Sequence, residues 1–236
     1  IAQPYGYLDR AAGVSKTNAL EVFAGGLITA VSVNGGASWN AVTDWQNTNL
    51  TNWVHADVKK IIFEPGSGSK LYIVNDGGIS VSTDNAVTWT DISNGLHIQE
   101  IYKLANSPFG PDTIYYGAQD AGTYRWVATD SSLEVLVGGD GFQPLVDPTD
   151  AMTLFASYQI GNLRKSEDGG ENFYSASPGQ YLWNPPIKMN PLNPHSLYAG
   201  CTAGVKKSIA AGIQGTYINL SSAVLSNILA LDVTKA

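Results

Sequence analysis

The apolar residues of this 236-residue chain fall into short runs separated by glycine, aspartate, asparagine and serine, and within the runs apolar and polar positions tend to alternate. That is the period of a half-buried strand, and long amphipathic helices are not expected. Four of the runs end in a residue followed by proline: KKIIFEP at Pro65, IYKLANSP at Pro108, FQPLVDP at Pro148 and PPIKMNP at Pro191, spaced by 43, 40 and 43 residues. A few residues after each, an aliphatic-aromatic pair opens a second strand, at Leu71-Tyr72, Ile114-Tyr115, Leu154-Phe155 and Leu197-Tyr198, with the same spacings. A third strand follows, such as GISVSTD or GNLRKSED, and then a fourth, such as VTWTDIS. RAAGVSK followed by EVFAGG is an earlier copy with Lys16 in the proline's place, and ILALDVTKA reads as the first strand of a later one.

A repeat of roughly 40 to 45 residues holding four short strands signals a β-propeller blade, whose open faces are covered by neighbouring blades. The rungs of a β-helix are much shorter, so a solenoid fits less well. The fold expected is all-β: a β-propeller of four-stranded antiparallel blades near 1–52, 53–97, 98–139, 140–182 and 183–225, with the start of another at 226–236. Ring closure usually assembles one blade from both chain ends, which removes exposed strand edges. This chain begins and ends on a first strand, so the expectation is one incomplete domain of about five blades plus one strand, part of a larger propeller.

A shorter motif runs in register with that period. Ser32, Asn34, Gly36, Ser38 and Trp39 correspond to Ser82, Asp84, Thr88 and Trp89, and to Ser166, Asp168, Gly170 and Phe173. These residues resemble the Asp-box, or BNR repeat, of sialidase-like propellers, with pattern Ser-x-Asp-x-Gly-x-Thr-Trp. At a turn between strands three and four, the acid accepts backbone N–H bonds, the hydroxyls satisfy other groups, glycine takes φ > 0 and the aromatic ring buries apolar area. Each such bond is worth about 1 kcal/mol net, which makes the motif a fastener of the fold. The meander also puts these turns on the face opposite the two-to-three loops and the inter-blade connections, so Asp84 and Asp168 point away from the face that carries the active site in sialidase-like enzymes. Blade three has no copy, only QDAGTYRWVATDSSLEVL, and blade five has SIAAGIQGTYINLSS, where Thr216-Tyr217 follows a longer turn without an acid.

The opposite face collects polar clusters. His55 and Asp57 (WVHADVKK), Asp140 (VGGDGFQP) and Trp183 with Asn184 (LWNPP) lie on inter-blade connections, while Asn75 and Asp76 (VNDGGIS), Gln119 and Asp120 (GAQDAGT) and Gln159 (SYQIGN) lie on two-to-three loops. Glycines beside the acids let a backbone or a ligand approach closely. In their order, HAD, NDGGI, NGL-I-Q-IY, G-QD-GT and GGDG resemble large secreted propeller proteins of the Bacteroidetes over residues 1 to about 180. That resemblance implies an extracellular or cell-surface location of the type IX secretion kind; sortilin and xyloglucan-degrading propellers are more distant relatives in the same architectural class.

Composition narrows the function. Charged residues make up 14% of the chain, against about 25% in typical domains. A net charge of −7 opposes binding to nucleic acid or an anionic membrane surface. The basic pairs Lys59-Lys60, Arg164-Lys165 and Lys206-Lys207 read as solvated strand faces, and the single Cys201 as a small buried residue with neither a disulfide nor a zinc site around it. No apolar stretch approaches the roughly 20 residues of a membrane span, so no membrane insertion is expected, and IAQPYGYLDR is not a signal peptide.

Three chemistries compete on the polar face. Glycoside hydrolysis needs two carboxyls about 5 to 9.5 Å apart across the scissile bond, and the candidates are Asp57, Asp76, Asp120 and Asp140. A sialidase would also need an arginine cluster, yet Arg10, Arg125 and Arg164 are scattered and the Arg-Ile-Pro strand is absent. Ca²⁺ held by carboxylates and carbonyls is the one ion considered, and no other cofactor is expected. The plainest reading is that Asp76 and Asp120 cap their own loops. Trp45, Trp53, Trp126 and Trp183 fall outside the motif copies and serve either blade packing or a carbohydrate surface. The expectation is a secreted or surface module that binds or scaffolds, with carbohydrate or an extracellular protein as partner and adjoining domains in a longer chain; the alternative is a glycoside hydrolase acting through the mouth carboxylates.

Overall fold

The computed structural model describes residues 10–96, 98–179, 182–202, 204–220, 228 and 230–233. The chain forms two compact units, Ile1–Ile98 and Gln99–Ala236. The first unit holds one sheet of β1 (Ala11–Val14), β2 (Val22–Gly25), β3 (Thr29–Ser32) and β4 (Asn40–Ala41), and a second of β5 (Lys60–Phe63), β6 (Leu71–Asn75), β7 (Gly78–Ser82) and β8 (Thr90–Asp91). The second unit holds three: β9 (Ile101–Asn106), β10 (Thr113–Ala118), β11 (Gly122–Val127) and β12 (Ser132–Val137); then β13 (Leu145–Val146), β14 (Leu154–Tyr158), β15 (Asn162–Ser166) and β16 (Tyr174–Ser175); and β17 (Ile187–Asn190), β18 (Asn193–Cys201), β19 (Gly204–Ser208) and β20 (Ile218–Asn219).

In every sheet the four strands pair antiparallel in chain order. The fold is therefore all-β and of the β-propeller class, with each sheet a blade drawn from one sequence repeat. The register links the two repeated signals. In four of the five sheets an apolar residue of the second strand faces the serine that closes the third: Val22 opposite Ser32, Leu71 opposite Ser82, Leu154 opposite Ser166 and Leu197 opposite Ser208.

Alternation decides what is buried. In β5 and β6 every second side chain is buried, placing Ile61, Phe63, Leu71 and Ile73 with Phe23, Val54, Val58 and Trp89 in one core between the two sheets of the first unit. Phe23 meets Phe63 edge-on at 5.5 Å. The second unit has an equivalent core of Phe155, Leu163, Ile187, Leu197, Ala199 and Cys201. A fully buried side chain of this size contributes about 1.5–3 kcal/mol, so these seams hold the blades face to face. Cys201 is 1% exposed, and burial raises its thiol pKa.

Both ends of the blades are tied through the backbone. At one end, in four of the five blades the tip of the three-to-four turn donates an N–H to the one-to-two turn or the start of the second strand: Gly35 to Leu20 O (2.8 Å), Asn85 to Ser69 O (2.9 Å), Gly169 to Met152 O (2.9 Å) and Ala211 to His195 O (2.8 Å). At the other end, an inter-blade connection donates to the close of the preceding blade's second strand: Val58 to Gly26 O (2.8 Å) and Gly141 to Ala118 O (2.9 Å). The expected opening strand at 226–236 falls largely outside the described residues; within it, Ile228 makes a corresponding bond, donating to Cys201 O at 3.3 Å.

Side chains add cross-blade ties within each unit. Asn85 Nδ2 donates to Glu21 Oε1 at 2.6 Å, Arg125 Nη1 to Gly169 O at 2.7 Å, and the Tyr217 hydroxyl to Ala176 O at 2.9 Å. The basic pairs are not simply solvated strand faces. Lys165 is 5% exposed and pairs with Glu167 at 2.6 Å, and Lys206 Nζ donates to Pro178 O (2.8 Å) and Gly179 O (3.0 Å). The physical reason is that β15 and β19 are middle strands of their sheets with partly or fully buried side chains, so a cation there must find acceptors.

Candidate functional site

The motif turns are hydrogen-bonded hubs. Ser82 Oγ accepts the N–H of Ala86 (2.9 Å) and donates to Asp84 Oδ1 (2.8 Å), which in turn accepts the Thr88 N–H (2.9 Å) while Oδ2 accepts the Thr88 hydroxyl (2.6 Å). Ser166, Asp168, Gly170 and Asn172 repeat the arrangement, with Asn172 Nδ2 in place of the threonine hydroxyl. In the first blade Asn34 substitutes for the acid: its Oδ1 accepts the Ser38 N–H at 2.9 Å and its Nδ2 donates to Ser38 Oγ at 2.8 Å. These bonds favour the ionised carboxylates. The Thr88 hydroxyl and N–H lower Asp84 to about 2, and the Asn172 N–H and amide lower Asp168 to about 2. A carboxyl held ionised in this way is a poor proton donor.

Two departures appear. Trp39, expected to bury its ring, is 37% exposed, because its Nε1–H folds back onto Gly36 O at 3.1 Å, whereas Trp89 is 8% exposed within the inter-blade core. Phe173 is half-buried. A second fastener was not anticipated: four residues after each motif aromatic stands a hydroxyl, Thr43, Ser93 or Ser177, that ties the connection to the start of the third strand. Thr43 Oγ1 accepts the Thr29 N–H (2.8 Å), Ser93 Oγ accepts the Ile79 N–H (2.9 Å), and Ser177 Oγ donates to Gly161 O (3.3 Å). The signal was present in the sequence as a hydroxyl at a fixed offset from Trp39, Trp89 and Phe173.

In the second unit, Gln119, Asp120, Asp140, Gln159 and Trp183 lie on the loops that the meander directs to the polar face. Asp140, 6% exposed, accepts the backbone N–H of Asp120 at 2.8 Å, with Asp120 in the left-handed region at φ 52°. The main chain of Asp120 is thus clamped from the neighbouring connection. Gln119 Oε1 accepts the Tyr102 hydroxyl at 3.1 Å; the Tyr102 ring lies 4.9 Å from that of Phe142, which meets Trp183 edge-on at 6.0 Å. Tyr102 and Phe142 join this row although the sequence did not single them out. Trp183 is 45% exposed, and its carbonyl accepts the N–H of Ile160 at 3.2 Å, where Ile160, a β-branched residue, sits at φ 61° and is 50% exposed. Such a backbone is uncommon for isoleucine. The amide of Gln159 rests over Gly139, where a Cβ would come within 2.6 Å of Oε1.

In the first unit, His55, Asp57, Asn75 and Asp76 are less available. The His55 ring packs on Gly77, where a Cβ would stand 2.5 Å from it, and Nδ1 lies 3.3 Å from Ala56 O. Asp76 pairs with Lys59 Nζ at 2.9 Å instead of only capping its own loop. Asp57 sits at φ 63°. Asn75 is 7% exposed, because the register puts it on the same buried side of β6 as Leu71 and Ile73, and its amide atoms have no hydrogen-bond partner among the described residues. It is not an accessible binding residue. Asp57 and Asp76 belong to one unit, Asp120 and Asp140 to the other. Among the described residues no group of three or more His, Cys, Asp or Glu side chains is placed to hold a metal ion, so Ca²⁺ gains no such ligand set there.

No protein-family model and no curated protein matches the chain. Among solved structures it is similar to the GH74 enzyme of Niastella koreensis, with 17% identity over 88% of this chain and 38% of that one and a TM-score of 0.45. It is similar to the GH74 xyloglucanase of Xanthomonas campestris, with 15% identity over 85% and 36% of the two chains and a TM-score of 0.40. It is also similar to the extracellular domain of BT3049 from B. thetaiotaomicron, described as a hybrid two-component system, with 10% identity over 96% and 31% and a TM-score of 0.46. The chain spans about a third of the length of these structures.

Proposed function

We propose that this chain is an Asp-box propeller module of an extracellular or cell-surface protein, that it is part of a longer chain of the type IX secretion kind, and that it binds ligand through the face bearing Trp183. The observation that carries the reading is how the face's polar groups are used. Within the second unit Asp140 is committed to the Asp120 backbone, while Trp183 and Ile160 remain 45% and 50% exposed. A buried acid that braces a loop, beside an indole and an isoleucine that stay open, fits binding better than acid–base chemistry. Carbohydrate is the favoured ligand class, since an indole edge-packed on Phe142 offers a fixed apolar face beside the amide of Gln159. The continuation into a further blade is supported by Ile228, which bonds to Cys201 as Val58 does to Gly26.

The test is to incubate the intact chain with neutral plant and bacterial polysaccharides and to measure both retention and release of reducing ends. Retention without release, weakened in Trp183→Ala, upholds the module. Reducing-end release abolished in Asp120→Asn or Asp140→Asn would establish the glycoside hydrolase alternative, and retention of extracellular proteins alone would move the ligand class from carbohydrate to protein.

A further inference from the structure

We infer that the first blade carries a second carbohydrate subsite, centred on Trp45. The inference rests on reading the chain as a binding module, but it uses a different unit and different residues from the Trp183 row. The connection from β4 to β5 runs from residue 42 to 59 and carries no strand beyond an isolated bridge between Asp44 and Trp53. Structureless connections longer than about 12–15 residues in compact domains usually serve a function or are disordered. This one is ordered by its own bonds: Asp44 N–H to Asn52 O (3.0 Å), Val54 N–H to Asp44 O (2.9 Å), and Trp53 Nε1–H to Trp45 O (3.0 Å).

That frame presents Trp45 with 41% of its surface exposed beside a cavity of about 410 Å³, walled by Leu27 and Ile28 of the two-to-three turn and by Thr43, Asp44 and Gln46. The size lies within the roughly 300–1,000 Å³ of small-ligand sites. Its chemistry selects the ligand class. No lysine, arginine or histidine lines it, which disfavours phosphate and carboxylate ligands. One aromatic wall, rather than a cage, disfavours a quaternary ammonium. Asp44 spends Oδ1 on the N–H groups of Gln46 (2.8 Å) and Asn47 (3.0 Å), which fixes the carboxylate at the rim. A flat indole flanked by a fixed carboxylate and the Gln46 amide matches a neutral sugar ring: an apolar C–H face for stacking and hydroxyls at the edge for the planar acceptors and donors.

The experiment follows the indole N–H signals of the ¹⁵N-labelled chain during titration with cellohexaose, mannohexaose, maltohexaose and tetramethylammonium chloride, with affinities by calorimetry. Trp45→Ala leaves the Trp53-to-Trp45 bond intact because it uses the main-chain carbonyl, so the variant is expected to melt with the parent. Trp39→Ala, on the three-to-four turn, is the control. The expected result is a shift of the Trp45 indole by one of the hexaoses, with affinity about tenfold weaker in Trp45→Ala and unchanged in Trp39→Ala. Hexaose binding that Trp183→Ala abolishes and Trp45→Ala leaves intact would overturn this subsite while sparing the module reading. A shift of Trp45 by tetramethylammonium but by no hexaose would also overturn it, as a cation site. Binding of no probe at either tryptophan would overturn both.

Discussion

The carboxylate of Asp140 accepts the backbone N–H of Asp120 at 2.8 Å, so one acid on the polar face holds the main chain of another. Asp120 is at φ 52° and Asp140 is 6% exposed, so the bond fixes an unfavourable turn from a buried site. Asp140→Asn keeps an oxygen acceptor and should melt close to the parent. Asp140→Ala removes this acceptor and should cost about 1 kcal/mol. Urea unfolding of the two variants checks this, and equal midpoints would remove the clamp.

Acid should loosen the motif turns of the second and fourth blades. Asp84 and Asp168 titrate at about 2 when folded, below the ordinary 3.8. For groups depressed in this way the stabilisation is complete above the unfolded pKa and disappears as pH falls through the folded one, that is, from about 4 down to about 2. Thermal melts between pH 6 and pH 2 should show this decline. Replacing both acids by asparagine should flatten it without unfolding the chain at neutral pH, because Asn34 already serves the same turn in the first blade.

Ser208 should be as important as its counterparts although its turn has no acid. Its Oγ accepts the N–H groups of Ala210 (3.2 Å) and Gly212 (3.1 Å) and contacts Thr216 Oγ1 at 2.9 Å. Ser208→Ala buries these groups without a partner and should cost about 1–3 kcal/mol, comparable with Ser82→Ala and Ser166→Ala. A cost near zero at Ser208 alone would mean that the acid, not the serine, organises the turn.

The blade count and the strand order were legible because proline and aliphatic-aromatic pairs recur at constant spacing, and the motif turns because Ser, Asp and Trp recur with them. That Asp120, Asp140 and Trp183 lie between strands followed from the repeat. What the linear pattern could not give was partner choice. Asp76 meets Lys59 and Arg125 meets Gly169 through cross-strand and cross-blade geometry, which depends on register and twist rather than on neighbours in sequence. A polar residue at a strand end ordinarily faces solvent, but Asn75 shares the register parity of Leu71 and Ile73 and is buried with them. Trp39 stays 37% exposed although Trp89, at the same place in the motif, is buried in the inter-blade core.

Two glycines in one short stretch should behave oppositely. At Gly138 a Cβ would meet nothing within 4 Å, whereas at Gly141 it would stand 2.0 Å from Gly122 O and 2.3 Å from Gly122 C, where the connection crosses the adjoining blade. Gly138→Ala should change stability by less than about 0.5 kcal/mol, and Gly141→Ala should cost roughly 2–4 kcal/mol by forcing backbones apart. Chemical denaturation of the pair measures the contrast; similar midpoints would show that the connection shifts freely.

The main-chain bond at the tip of the three-to-four turn in four of the blades, as from Gly169 to Met152, closes a short loop and needs no side chain. Such a closure is inexpensive in chain entropy, so these blades fasten their own hairpins through the main chain, while burial of their apolar faces still requires the blade beside them. Strand pairing and turn closure can therefore be completed within one blade, and what a neighbour adds is the buried seam. The closure does not depend on the acid either: the fifth blade has none in this turn, yet Ala211 donates to His195 O all the same.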